Sequence, residues 1–303
     1  MRTKQQHFVP QSYLRRFTSD GKTIQVLDKP NLRTFTSNVR NIAGETGFYN
    51  LPTEGAEALG IDPQVAEKAL SDLEQSFDAA VGTVLERAAA GDLTVLDARL
   101  RRNLAHFLVV QDLRTREKRS AIRQVIEKFG EALAESYPDL KGSAIRAEAD
   151  EQWLGLFQTA QLFNPEMLRM LTSALLDHIW FLGHSCTGRA LYTSDHPFVR
   201  RAHYQQPHMG TLGLASPGIE LACPLSSSYV LVLSDRVAFR EYEDRDNKVL
   251  DLEADNVTYY NSLQVLQSYR QVYCSANAFE LALQICRERP YVRDPDKIRV
   301  VVE

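Results

Sequence analysis

Between Ala66 and Val84 the apolar residues recur at three- and four-residue steps, through Leu70, Leu73, Phe77 and Val81. That is the period of an amphipathic helix. Asp62-Pro63 supplies an N-cap with proline at the first helical position, and Ala90-Gly91 marks the end. A second helix is predicted from about Asp92 to Thr94 onward, carrying Leu96, Leu100, Leu104 and Phe107 on one stripe. Helix continues over 118–135 until Ser136-Tyr137-Pro138, and a third helical block covers 144–182 with a local break at Asn164-Pro165. At the front, Pro10 opens a short helix, and Thr23–Asp28 with Leu32–Thr36 forms a hairpin around Lys29-Pro30-Asn31. A loop carrying Glu45-Thr46-Gly47-Phe48-Tyr49 follows.

After Gly183 the period changes. Arg189–Thr193 reads as a strand, 204–218 as a Gln-, Gly-, Pro- and Ser-rich loop, and Tyr229–Leu233 as a strand covered on both faces. Residues 253–286 read as helix, and Lys297–Val302 as a last strand. The expected class is α+β: a central helical bundle with an N-terminal β-hairpin module and a C-terminal strand-bearing portion. One domain spanning 1–303 is expected, with subregions 1–60, 61–182 and 183–303.

Composition narrows the class without naming a function. Hydrophobic residues make up 44% and charged residues 24% of 303, which excludes collagen-like, disordered and disulfide-scaffold chains. The polar, basic start MRTKQQHFVPQ is no secretory signal. No stretch reaches the roughly 18 apolar residues of a membrane span. Ala174–Cys186, the nearest, is interrupted by Asp177, His178 and His184 and reads as a buried helix end. Four scattered cysteines without a CxxC pair fit a reduced, cytoplasmic protein. The sequence does not specify an oligomeric state.

Charge is less even than the net −4 implies. Residues 1–40 and 99–128 each carry a net +6, so the rest of the chain carries −16. If the two basic segments share a face, they attract a nucleic acid or nucleotide; if acidic neighbours balance them, they are an ordinary solvated surface.

The sharpest signal lies on the second helix, whose apolar stripe continues into Gln111 and Arg114, with Thr115 beside them. A buried arginine needs a carboxylate, an anion or several carbonyls. Either the helix leaves the core there, or Arg114 is a buried strut between segments, or it is the anion clamp of a pocket that Gln111 shares. His7, held by Phe8-Val9-Pro10, has Gln11 and Arg15 at helical spacing and is a candidate acid–base group. In Thr193-Ser194-Asp195-His196-Pro197, Asp195 is a candidate base, metal ligand or partner of Arg114, with His196 adjacent; the alternative is a turn that stops the strand. Glu74 borders the apolar stripe and is a possible second metal-binding carboxylate, whereas Glu67 fits a solvated position. GxSxG, P-loop, GxGxxG and HExxH motifs are missing, and neither His178 with His184 nor His203 with His208 has a zinc spacing.

HFVPQSYLRRF, ETGFYN, VVQDLRT, LYTSDHPF and CPLSSSYVLVL occur in this order. Together they resemble the family known as domain of unknown function 4238, over His7 to about Cys274. The resemblance implies that His7, Pro10, Gln111, Arg114, Thr115, Asp195 and Pro197 match characteristic positions, with His196 standing where asparagine is more usual. It implies no reaction.

Two expectations follow. One is a hydrolase for phosphodiesters or nucleotides, nuclease-like and of toxin or defence kind. His7, Gln111, Arg114 and Asp195 would be catalytic, and Gln11, Arg15, Thr115 and His196 substrate-binding. Glu74 and Asp195 would hold a divalent cation such as Mg²⁺ or Mn²⁺. The other is a non-enzymatic binding or regulatory module whose buried Arg–Asp network is structural.

Overall fold

The computed structural model describes residues 5–51, 62, 64–91, 96–136, 151–204 and 213–299. Its order is β1 (Gln5–His7), α1 (Gln11–Arg15), β2 (Thr23–Asp28), β3 (Arg33–Asn38), β4 (Gly44–Thr46), α2 (Val65–Ala89), α3 (Ala98–Leu113), α4 (Arg116–Ser136), α5 (Glu151–Leu162) and α6 (Pro165–Leu176). Then follow β5 (Ile179–Ser185), β6 (Thr193–Ser194), β7 (Val199–Ala202), β8 (Ile219–Pro224), β9 (Tyr229–Ser234), β10 (Lys248–Leu252), α7 (Ala254–Gln267), β11 (Gln271–Cys274) and α8 (Glu280–Glu288). The class is α+β.

Local chemistry accounts for the helix starts. Asp97 caps α3 by accepting from the amides of Arg99 and Leu100. Asn164 caps α6 through Glu166 and Met167, with Pro165 at the first position. The predicted stripe of α2 is buried at Ala66, Leu70, Phe77, Val81 and Val84, and the helix packs on α3 through Leu100, Leu104 and Phe107. The predicted start at Asp92–Thr94, together with Pro63, Tyr137-Pro138, 144–150, 205–212 and Val300–Val302, lies outside the described residues. Lys297–Arg299 is not a strand.

Three predicted elements change character. Residues 179–185, expected as helix, form β5, which runs between β10 and β9 in the sheet β10-β5-β9-β8-β7. Ile179–Leu182 is continuously buried, which a strand covered on both faces demands and a helical period cannot distinguish over so few residues. The block 253–286 is split by β11, whose Val272-Tyr273-Cys274 is likewise wholly buried. The strand expected over Arg189–Thr193 shrinks to β6.

β11 joins distant parts of the chain: the second sheet runs β3-β2-β11-β6, with Leu27 opposite Val272. A third, two-stranded sheet pairs β1 with β4, placing His7 opposite Gly44 where a loop was expected. Gly44 has no room for a side chain. A Cβ there would sit 2.9 Å from the Gln6 carbonyl oxygen and 3.1 Å from the His7 ring. Among the described residues no helix is long and apolar enough to cross a membrane.

Candidate functional site

The C-terminal end of α3 delivers Gln111, Arg114 and Thr115 into the interior, at 1%, 1% and 0% exposure. The helix therefore does not leave the core there, but the three side chains serve two different places.

Arg114 and Gln111 turn toward the N-terminal module. The Arg114 guanidinium pairs with Glu74 at 2.7 Å, donates to the His7 carbonyl and lies 3.4 Å from the Tyr49 hydroxyl. That hydroxyl in turn donates to the Arg114 carbonyl at 2.8 Å. Burial penalises the Arg114 charge, but Tyr49 and Glu74 outweigh that penalty and hold it protonated. Gln111 Nε2 donates to the Phe8 carbonyl at 2.9 Å. Together they pin the backbone on both sides of the His7–Phe8 peptide, so Arg114 binds no free anion while Glu74 holds it.

Beside this anchor lies a cleft of about 360 Å³, lined by His7, Gln11 and Arg15 on one side and by Glu67, Glu74 and Asp78 of α2 on the other. A strand–turn–helix, not a continuous helix, brings His7, Gln11 and Arg15 together. His7 Nε2 donates to the Arg40 carbonyl at 3.1 Å, which leaves Nδ1 as the unprotonated nitrogen. Burial lowers the His7 pKa; the Arg40 contact and Glu74 oppose it. Glu67, expected in solvent, has a buried carboxylate oxygen with no hydrogen-bond partner among the described residues. Burial raises its pKa, Arg114 opposes this and Glu74 adds to it. Its place was readable from spacing, since Glu67 stands two helical turns before Glu74 on the same face. Asp78 is occupied by Arg16 at 2.6 Å.

Thr115 points the other way. Its hydroxyl meets His196 Nδ1 at 2.9 Å, and His196 Nε2 stands 4.0 Å from Asp112, which pairs with Arg200. Burial drives the His196 pKa down to about 4 despite Asp112. Asp112 is itself buried, but Arg200, Lys118 and His196 keep it ionised. Asp195 does not reach Arg114. Its carboxylate accepts from the amides of Tyr269, Arg270 and Gln271 at 2.8, 2.7 and 2.7 Å, clamping the turn into β11. Burial raises its pKa, opposed by Lys29 and by those amides. Lys29 is buried too, donating to the carbonyls of Val265 and Ser268. Ser194 and Thr193 are also committed, to Gln264 and Tyr13.

The expected four-residue site of His7, Gln111, Arg114 and Asp195 therefore does not converge. The metal pair of Glu74 and Asp195 is likewise divided, because one faces Arg114 and the other the 269–271 turn. Among the described residues no three or more His, Cys, Asp or Glu side chains group around a common metal position. Several cations of segment 99–128 are paired within the chain: Arg101 with Asp246, Arg116 with Glu45 and Glu151, Arg123 with Glu151 and Lys118 with Asp112. Arg2 and Lys4 lie outside the described residues. Among the described residues Arg15, Arg99 and Arg102 have no ion-pair partner.

No curated protein and no solved structure matches the chain significantly. The five ordered motifs carry the His7 side of the cleft and the Thr115–His196 network, but not α2 with Glu67 and Glu74. Residues 5–277 match the model of one family, and the chain belongs to it: protein of unknown function (DUF4238).

Proposed function

We propose that the cleft between α1 and α2 is a hydrolytic site for a phosphodiester or nucleotide. The observation that carries the reading is the pairing of two unlike proton-transfer groups in one polar cleft. His7 presents an unprotonated Nδ1, and Glu67 presents a carboxylate oxygen with no internal partner. A histidine held neutral by burial suits a general base for water, and a carboxyl whose pKa is raised suits a general acid for the leaving oxygen. Arg15, without an ion-pair partner, is the cleft cation for a phosphate oxygen, and Gln11, 3.5 Å from Arg15, orients it. Gln111 and Arg114 act at one remove, by holding the His7–Phe8 backbone.

Purified protein is incubated with single-stranded DNA, RNA and nucleotides, with Mg²⁺, with Mn²⁺ and with chelator. Wild type should cleave at least one of these at a rate at least about a hundredfold above the His7→Ala/Glu67→Gln double variant, the scale of general acid–base assistance. Equal rates on all of them sink the reading. The metal arms are included because Glu74 lies in the same cleft.

A non-enzymatic binding module is the second reading, favoured by the ion pair of Arg114 with Glu74 and the three amides that Asp195 accepts from. It expects no turnover from wild type and an unchanged fold in the same double variant.

A further inference from the structure

The opposite face of α2 borders a larger cavity, of about 660 Å³, between α2, α3 and α6. Leu73, Phe77, Leu168 and Leu176 supply apolar wall, and all but Phe77 are only partly buried. Arg102 and Arg169 line the same cavity, both exposed and both without an ion-pair partner among the described residues. Thr172 also lines it, and its hydroxyl is buried with no hydrogen-bond partner among the described residues. Nearby His106 is kept neutral by burial, with no acidic neighbour to raise its pKa.

This combination selects a ligand. Apolar wall with a few convergent polar groups is the usual make-up of a small-molecule site of this size. Two guanidinium groups without ion-pair partners among the described residues give the cavity a positive mouth. An alkyl chain fits the leucine-lined wall and a carboxylate fits the arginines. A phosphate alone leaves the wall uncovered, and an alcohol leaves the arginines unpaired. We infer that this cavity binds a single-chain carboxylate amphiphile, with its chain against Leu73, Phe77, Leu168 and Leu176 and its head between Arg102 and Arg169. The site is separate from the His7 cleft and does not depend on its chemistry.

Calorimetric titration of the full chain with octanoate tests this, with octan-1-ol and inorganic phosphate as the two half-ligands. Octanoate should bind at least tenfold more tightly than either. Arg102→Gln/Arg169→Gln, which alters two exposed and unpaired side chains, should weaken octanoate at least tenfold and octan-1-ol less than twofold. Ser173→Trp, at an exposed cavity-lining position, should abolish octanoate binding while thermal unfolding by circular dichroism stays within a few degrees. No octanoate binding to wild type, octanoate no tighter than octan-1-ol, phosphate as tight as octanoate, or full binding by either variant would each overturn the assignment.

Discussion

Arg114 and Thr115 are adjacent in the chain, yet they serve regions of opposite character. On the Thr115 side Thr193, Ser194, Asp195 and His196 each have an internal hydrogen-bond partner, and Asp195 alone satisfies three backbone amides. On the Arg114 side the anchor leaves Gln111 Oε1 without a hydrogen-bond partner among the described residues, and it borders a cleft where Glu67 keeps an unsatisfied oxygen and His7 a free nitrogen. Burial of a polar side chain therefore identifies a network. Atoms left without partners beside that network are what identify a place for chemistry.

The largest way to break this contrast is to remove an anchor. Arg114→Ala strands Glu74 and should cost about 3–5 kcal/mol in urea unfolding. Asp195→Ala should approach that figure, because three amides lose their acceptor at about 1 kcal/mol or more each. If either variant were as stable as wild type, the description of both regions as anchors would fail.

Acid should strike the Thr115 side next. The His196 pKa is about 4 in the folded protein, against about 6.5 when unfolded, so the unfolded chain binds the proton more tightly. Stability contributed by neutral His196, faced by Asp112, Arg200, Lys118 and Glu117, is present above pH 6.5. It is lost as pH falls from there toward 4, by about 3 kcal/mol in all. His196→Asn cannot titrate and should flatten that part of the pH–stability curve.

Gly44→Ala drives a methyl against the Gln6 carbonyl and the His7 ring, at an expected cost of about 1–3 kcal/mol. It should also depress any His7-dependent turnover, and stability without such a loss would separate the two effects. Smallest in stability is His7→Gln, expected within about 1 kcal/mol since it gives up a single exposed hydrogen bond. Its activity should nonetheless fall as far as that of any variant of the cleft, which sharpens the distinction between anchor and chemistry.

Much of the architecture is legible in the sequence. The long helix, the Thr23–Asp28 hairpin strand and the buried YVLVL strand follow from period and polarity alone, and the stripe continuing into Gln111 and Arg114 leaves burial as one of the open readings, which the fold selects. Among the strands that escaped, which include Val199–Ala202, Ile219–Pro224 and Lys248–Leu252, Ile179–Leu182 and Val272–Cys274 share one reason: they are too short and too uniformly buried for a period to declare itself. The site was half readable. Helical spacing grouped His7, Gln11 and Arg15, but it could not tell that Arg114 would meet Glu74 in place of Asp195. That choice depends on which faces of α2 and β6 flank the end of α3, which only packing decides.

The strand β11 has one more consequence, for the order in which the chain can fold. Asp28 and Arg270 meet across 242 residues, at the seam where β11 completes the hairpin's sheet. During synthesis, at about 5–20 residues per second, the inner edge of β2 stays unpaired for on the order of ten to fifty seconds before its partner emerges. Such an edge invites pairing with any other strand nearby. Asp28 lies on that edge, and Lys29 follows immediately at its end. Charges of this kind discourage stray pairing until Arg270 and the carbonyls of Val265 and Ser268 arrive to receive them.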